Sequence, residues 1–192
     1  MDLGIKDQLF IVGGATSGFG KAIALALLQE GAKVIAVARG EEKLESLYGK
    51  LDRAEIVVGD ITQAVTIAQL KYIVGERHLH GIVVNAGGPP AKMMLETTLD
   101  DWDDAYQKIL RWKVAITQTF VPAMIKAGYG RLLFIESSSV KQPIENLVLS
   151  NSLRLAVVGM VKTLSQEIAS TGVTANVMGP GSHNTPAIDR LY

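Results

Sequence analysis

The sequence contains no cysteine. That excludes a disulfide framework, a thiolate nucleophile and any metal centre built on sulfur. It also lacks an apolar run of about 18 residues, the length a membrane-spanning helix needs. The opening stretch Met1-Asp2-Leu3-Gly4-Ile5-Lys6-Asp7 is charged and has no secretory apolar core. Nor is there an excess of either charge, since 19 Lys and Arg balance 19 Asp and Glu. Nucleic-acid and anionic-membrane partners call for a basic excess or patch, so neither is expected. A soluble, cytoplasmic protein is the expectation these absences leave.

What is present is a regular alternation. Short apolar runs rich in Val and Ile occur at Leu9–Val12, Lys33–Val37, Ile56–Val58, Gly81–Val84, Leu132–Ile135 and Val173–Met178. Such runs show little polar alternation, as strands buried on both faces of a parallel sheet do. Segments of helical period lie between them: Lys21–Glu30, Glu41–Leu51, Thr62–Glu76, Leu99–Lys126 and Ser150–Ser170. Gly31, Gly128 and Gly172 supply helix stops. The order predicts an open α/β sheet with helices on both faces. With no repeat, low-complexity tract or long linker, residues 1–192 are expected to form a single dinucleotide-binding domain.

The reason to expect a dinucleotide is "VGGATSGFGKAIALAL", at the end of the first strand. Gly14, Gly18 and Gly20 set a G-x-x-x-G-x-G pattern opening a helix, with Phe19 between the last two. Glycines let the backbone turn sharply against a pyrophosphate, and the helix N-terminus offers free N–H groups and partial positive charge. Twenty residues past Gly18 stand Ala38 and Arg39, where an NAD-selective site would carry Asp or Glu. A guanidinium suits a 2′-phosphate, so NADP(H) is favoured over NAD(H), unless Arg39 is simply a solvated loop residue.

Further motifs follow in a fixed order: Asp60-Ile61-Thr62 after the third strand, Asn85-Ala86-Gly87 after the fourth, and Pro180-Gly181-Ser182-His183-Asn184-Thr185 after the sixth. With the glycine loop, this set resembles the short-chain dehydrogenase/reductase family, from about residue 7 to residue 186. The resemblance implies a Rossmann-type doubly wound parallel sheet. It places Thr16 and Ser17 at the phosphates, Asp60 and Ile61 at the adenine, and Asn85, Ala86 and Gly87 beside the ribose. Pro180, Gly181 and Thr185 would then face the nicotinamide carboxamide. It also implies a small carbonyl or alcohol substrate, and a homodimer or homotetramer built on the two long helices. Because family members continue several tens of residues past Thr185, the sheet is expected to lack the usual C-terminal strand and lid.

The family chemistry uses a serine, a tyrosine four residues before a lysine, and an asparagine on the preceding long helix. The matching positions here hold Ser137 (with Ser138 and Ser139 close by), Ser150, Arg154 and Ile109. No Tyr-x-x-x-Lys occurs in the chain. A serine hydroxyl is far less acidic than a phenol of pKa about 10, and arginine does not relay a proton. The tyrosine mechanism therefore does not apply. Three substitutes remain open. Lys141 could act as proton donor with Ser137 or Ser138 orienting the carbonyl, His183 could do so, or Ser150 and Arg154 could bind an anion. The stretch "SSVKQPIENLVLSNSLR" resembles a branch similar to the 3-oxoacyl-acyl-carrier-protein reductases. The chain is thus expected to be an NADP(H)-dependent oxidoreductase with a non-standard site, or a cofactor-binding protein that has lost catalysis. His78 and His80 suggest no metal site.

Overall fold

The computed structural model describes residues 3–183. Six parallel strands, β1 (Leu9–Gly13), β2 (Lys33–Ala38), β3 (Ala54–Val58), β4 (Leu79–Val84), β5 (Gly130–Ile135) and β6 (Val173–Met178), lie in the order β3-β2-β1-β4-β5-β6. All five strand pairings are parallel. This is the Rossmann order, with its topological switch between β1 and β4.

Period-two alternation in the strands builds two cores. Leu9 and Ile11 of β1 join one cluster and Val12 the other, because successive side chains point to opposite faces. The first cluster receives Leu70 of α3 (Ala64–Val74), Ile116 and Phe120 of α5 (Trp112–Ala127), and Val157 and Val161 of α6 (Val148–Glu167). The second receives Ala24 of α1 (Gly18–Gln29) and Leu44 and Tyr48 of α2 (Glu41–Tyr48). Burial on both faces explains why the central strands read as continuous apolar runs.

The segment 99–126, read as one helix, is interrupted. α4 (Leu99–Tyr106) begins with a capping box, in which Asp101 N–H donates to Thr98 Oγ1 and Thr98 N–H to Asp101 Oδ2. A π-helical turn, Gln107–Arg111, then separates α4 from α5. Such a turn inserts a residue into the helical repeat and rotates the helix beyond it. The buried stripe of α5 accordingly runs Trp112, Ile116, Phe120, Met124, and it carries Lys113 inward with it. Ile109, which the resemblance aligns with the catalytic asparagine, is a core residue.

Candidate functional site: a cofactor crevice and a buried ion triad

Beyond Gly13 the chain turns through Gly14, whose φ of +64° favours glycine. Gly20, in the first turn of α1, packs on that turn. A Cβ there would stand 2.3 Å from Gly14 O and 2.6 Å from Gly13 O. Three contacts hold the loop. Asn85 Nδ2 donates to Gly13 O at 3.1 Å. Ala15 N–H donates to Val37 O at 3.1 Å. The Tyr48 hydroxyl donates to Ala15 O at 2.6 Å, and burial pushes this phenol up to about 12. Ser17 caps α1 without a side-chain hydrogen bond.

A crevice of about 760 Å³ opens at the carboxyl ends of β1 to β4. Gly14, Thr16 and Ser17 line it from the first loop, Asp60 and Ile61 from the third, and Ala86 and Gly87 from the fourth. Arg39 lines it from the end of β2. Eight of the predicted cofactor residues are thus gathered on one edge, while Pro180 and Gly181 do not line the crevice. Gly18, Phe19 and Gly20 form the turn of α1 behind the loop, and Asn85 lies beneath it rather than along the wall. Asp60 Oδ1 is engaged by Thr62, accepting from its N–H at 3.0 Å and its hydroxyl at 2.8 Å. Sequence reasoning missed Lys43, which also lines the crevice. Its place four residues after Arg39, in the first turn of α2, was the available signal.

The loop after β6, which the resemblance assigns to the nicotinamide end, is tied to the serine cluster. Ser138 N–H donates to Pro180 O at 3.0 Å, and Glu136 N–H to Met178 O at 2.8 Å. Gly181 is exposed, and the His183 ring meets that of Phe19 edge-on, centroids 5.0 Å apart. Thr185 lies outside the described residues.

Ser137 Oγ accepts from Ser139 N–H at 3.1 Å, which leaves its proton to donate elsewhere. Ser138 and Lys141 are exposed. Ser150 and Arg154 are brought together on α6, with Arg154 Nε donating to Ser150 Oγ at 2.9 Å.

Their surroundings were not anticipated. Arg154 Nη1 donates to Glu136 Oε2 at 3.0 Å, and Lys113 Nζ donates to Glu136 Oε1. Lys113 and Glu136 are only 3% and 5% exposed. One carboxylate, just past β5, therefore holds two cations, one from α5 and one from α6. Burial drives the Lys113 ammonium down to about 8; Glu136 opposes this and the Arg154 charge adds to it. His78 and His80 stack at 4.0 Å at the opposite, amino-terminal edge of the sheet, where Leu9 N–H donates to His80 Nδ1.

The sequence and the fold have known counterparts. A family model described as short chain dehydrogenase matches residues 8–191. The chain belongs to the short-chain dehydrogenase family. This short-chain dehydrogenase is 28% identical over 185 residues to an uncharacterized oxidoreductase of Staphylococcus epidermidis, covering 95% of this chain and 80% of that protein. Among solved structures it is similar to a short-chain dehydrogenase from Streptomyces avermitilis, with TM-score 0.88 and 28% identity over 94% of this chain and 68% of that one. It is also similar to a variant of actinorhodin polyketide ketoreductase crystallised with NADPH, with TM-score 0.86 and 32% identity over 94% of this chain and 72% of that one. The chain is therefore an oxidoreductase of the short-chain dehydrogenase type.

Proposed function

We propose that this short-chain dehydrogenase is an NADP(H)-dependent carbonyl reductase or alcohol dehydrogenase, 3-oxoacyl-reductase-like, that works without a catalytic phenol. The observation that carries this reading is the crevice lined by Arg39 and Lys43 where β2 gives way to α2. The cradle fits the cofactor. Gly20 leaves no room for a side chain, so the phosphate loop packs flat on α1, and Ser17 leaves the N–H groups of that first turn without a side-chain cap. Arg39 and Lys43 would hold the 2′-phosphate against the opposing charges of Glu41 and Glu42, which line the same wall. The NADPH-bound ketoreductase relative supports the same cofactor.

When bound, the reduced cofactor supplies a hydride to a carbonyl carbon. Ser137, whose oxygen already accepts a backbone hydrogen bond, donates its proton in a hydrogen bond to the substrate oxygen and orients it. The proton that completes the alcohol comes from solvent at the exposed Ser138 end of the loop. Catalysis of this kind rests on positioning rather than on a strong acid, and turnover is expected to be slow. The test is NADPH oxidation, followed by absorbance, against a panel of ketones and 3-oxoacyl thioesters. Saturable turnover with at least one substrate supports the reading.

A second reading has its own observation. Both oxygens of Glu136 are committed to Lys113 and Arg154, a closed arrangement suited to a cofactor-binding sensor or partner subunit without catalysis. Tight NADPH binding with no oxidation across the panel favours it. In either case we propose a homodimer or homotetramer through the outer faces of α5 and α6, where Ile125 and Leu155 stand exposed. A monomeric mass in light scattering would refute this.

A further inference from the structure

We infer that the substrate carries a carboxylate, held by Arg154 and Ser150 beside the Gly88 end of the crevice. This rests on the proposed oxidoreductase reading and names its substrate class.

Charge balance is the first ground. Lys113, Glu136 and Arg154 carry two positive charges and one negative, so the triad has one unit of positive charge in surplus. Lys113 and Glu136 are almost fully buried, where water screens little. A buried charge left unmatched is unfavourable, and an anion at the open side of the triad completes it.

The open side is identifiable. Arg154 Nε serves Ser150, and Nη1 serves Glu136 and, at 3.5 Å, Ile135 O. Nη2 makes no hydrogen bond among the described residues. It lies beside Gly88, since a Cβ built on Gly88 would come within 3.2 Å of it. Gly88 lines the crevice and Arg154 does not, so the free edge of the guanidinium lies directly behind Gly88, at the end of the crevice marked by Ala86 and Gly87. The side chain of Arg154 is 12% exposed, in contrast to 4% for Lys113 and 0% for Glu136. Only the arginine is therefore offered to a ligand.

Ser150 completes the pair. Its oxygen accepts from Arg154 Nε, and its own hydrogen is left to donate. One carboxylate oxygen would take the Nη2 hydrogens and the other the Ser150 hydroxyl. The surplus of a single charge fits a monovalent carboxylate better than a divalent phosphate. With Ser137 on the neighbouring loop orienting the carbonyl, the implied substrate class is an oxo acid, and the product a hydroxy acid.

The test uses the full chain, with and without saturating NADP+, which leaves an oxo acid no hydride to take. Isothermal titration compares acetoacetate and levulinate with their methyl esters. The expected result is at least tenfold tighter binding of one or both acids over its ester. In Arg154→Met that preference falls below twofold while NADP+ affinity stays within twofold. Arg154→Met leaves Lys113 paired one-to-one with Glu136, and a cooperative thermal melt confirms that it folds. Ser150→Ala, which leaves the triad intact, is expected to weaken the acid three- to tenfold. Equal binding of acids and esters to the wild type, or a preference that survives in Arg154→Met, overturns the inference. Failure of NADP+ to bind instead overturns the proposed NADP(H)-dependent reading, and the cofactor-free titration still decides whether the acid is preferred.

Discussion

Lys113 and Glu136 form a buried ion pair that ties the first turn of α5 to the residue following β5, at the point where α6 brings in Arg154. The two are 23 positions apart in sequence, and Lys113 lies just past the π turn that sets the phase of α5. Their unequal roles can be separated by mutation. Glu136→Gln would leave two buried cations with no anion between them, and is expected to cost about 3–5 kcal/mol of stability. Lys113→Met removes the surplus charge and leaves Glu136 with Arg154, so a change within about 1 kcal/mol, or a gain, is expected. Urea unfolding midpoints at neutral pH measure both. Equal losses in the two variants would show that the triad is not organised around its carboxylate.

The same pair gives a pH dependence with a defined sign. Burial lowers the Lys113 ammonium from its ordinary 10.5 to about 8 in the folded chain. Below about 8 both folded and unfolded chains hold this proton, and folding bears the full penalty of burying the charge. Between about 8 and 10.5 the unfolded chain keeps the proton and the folded chain has released it, so this residue's contribution to stability rises with pH. Wild type should therefore gain on Lys113→Met as the pH is raised from 7.5 to 10. A constant difference across that window would mean the lysine titrates as an ordinary one.

Much of this architecture is legible in the residues, for identifiable reasons. The central strands are legible because burial on both faces makes them short apolar runs, a local property, while the edge strands β3 and β6 keep exposed positions and are legible from their Val, Ile and Met content. The glycine loop is legible because Gly14 and Gly20 answer to backbone geometry, and only one residue type satisfies it. Lys113 and Glu136 are not legible. A lysine in a helix and a glutamate after a strand usually face solvent, and only the fold reveals that these two share a buried site. The interruption of segment 99–126 is hidden likewise, since Gln107–Arg111 contains neither proline nor glycine. Lys141 shows the converse: beside the serine cluster in sequence, it is exposed in the structure.

Gly20→Ala tests the phosphate cradle. The added methyl group meets backbone rather than a yielding side chain, at 2.3 Å from Gly14 O and 2.6 Å from Gly13 O. Either the loop or α1 must move, with a strain of about 1–3 kcal/mol. The loop that moves is the one proposed to carry the phosphates, so NADPH affinity should fall at least tenfold, read by fluorescence of the bound nicotinamide. Unchanged affinity in a folded variant would place the cofactor elsewhere.

Cofactor preference is tested at Arg39 and Lys43, the two cations on the β2–α2 wall. A charge-assisted hydrogen bond to a phosphate contributes about 1.5–3 kcal/mol, equivalent to roughly ten- to 150-fold in affinity. Arg39→Ala should therefore weaken NADPH by at least tenfold and leave NADH within about twofold, because only the former carries the 2′-phosphate. Lys43→Ala should do the same more weakly, since an ammonium grips a phosphate as a point charge and lacks the guanidinium fork. The double variant should bind the two cofactors alike. Competitive titration of both nucleotides against each variant gives the ratio directly. Parallel losses for NADPH and NADH would assign Arg39 to the adenosine common to both, and the preference for the phosphorylated cofactor would lose its basis.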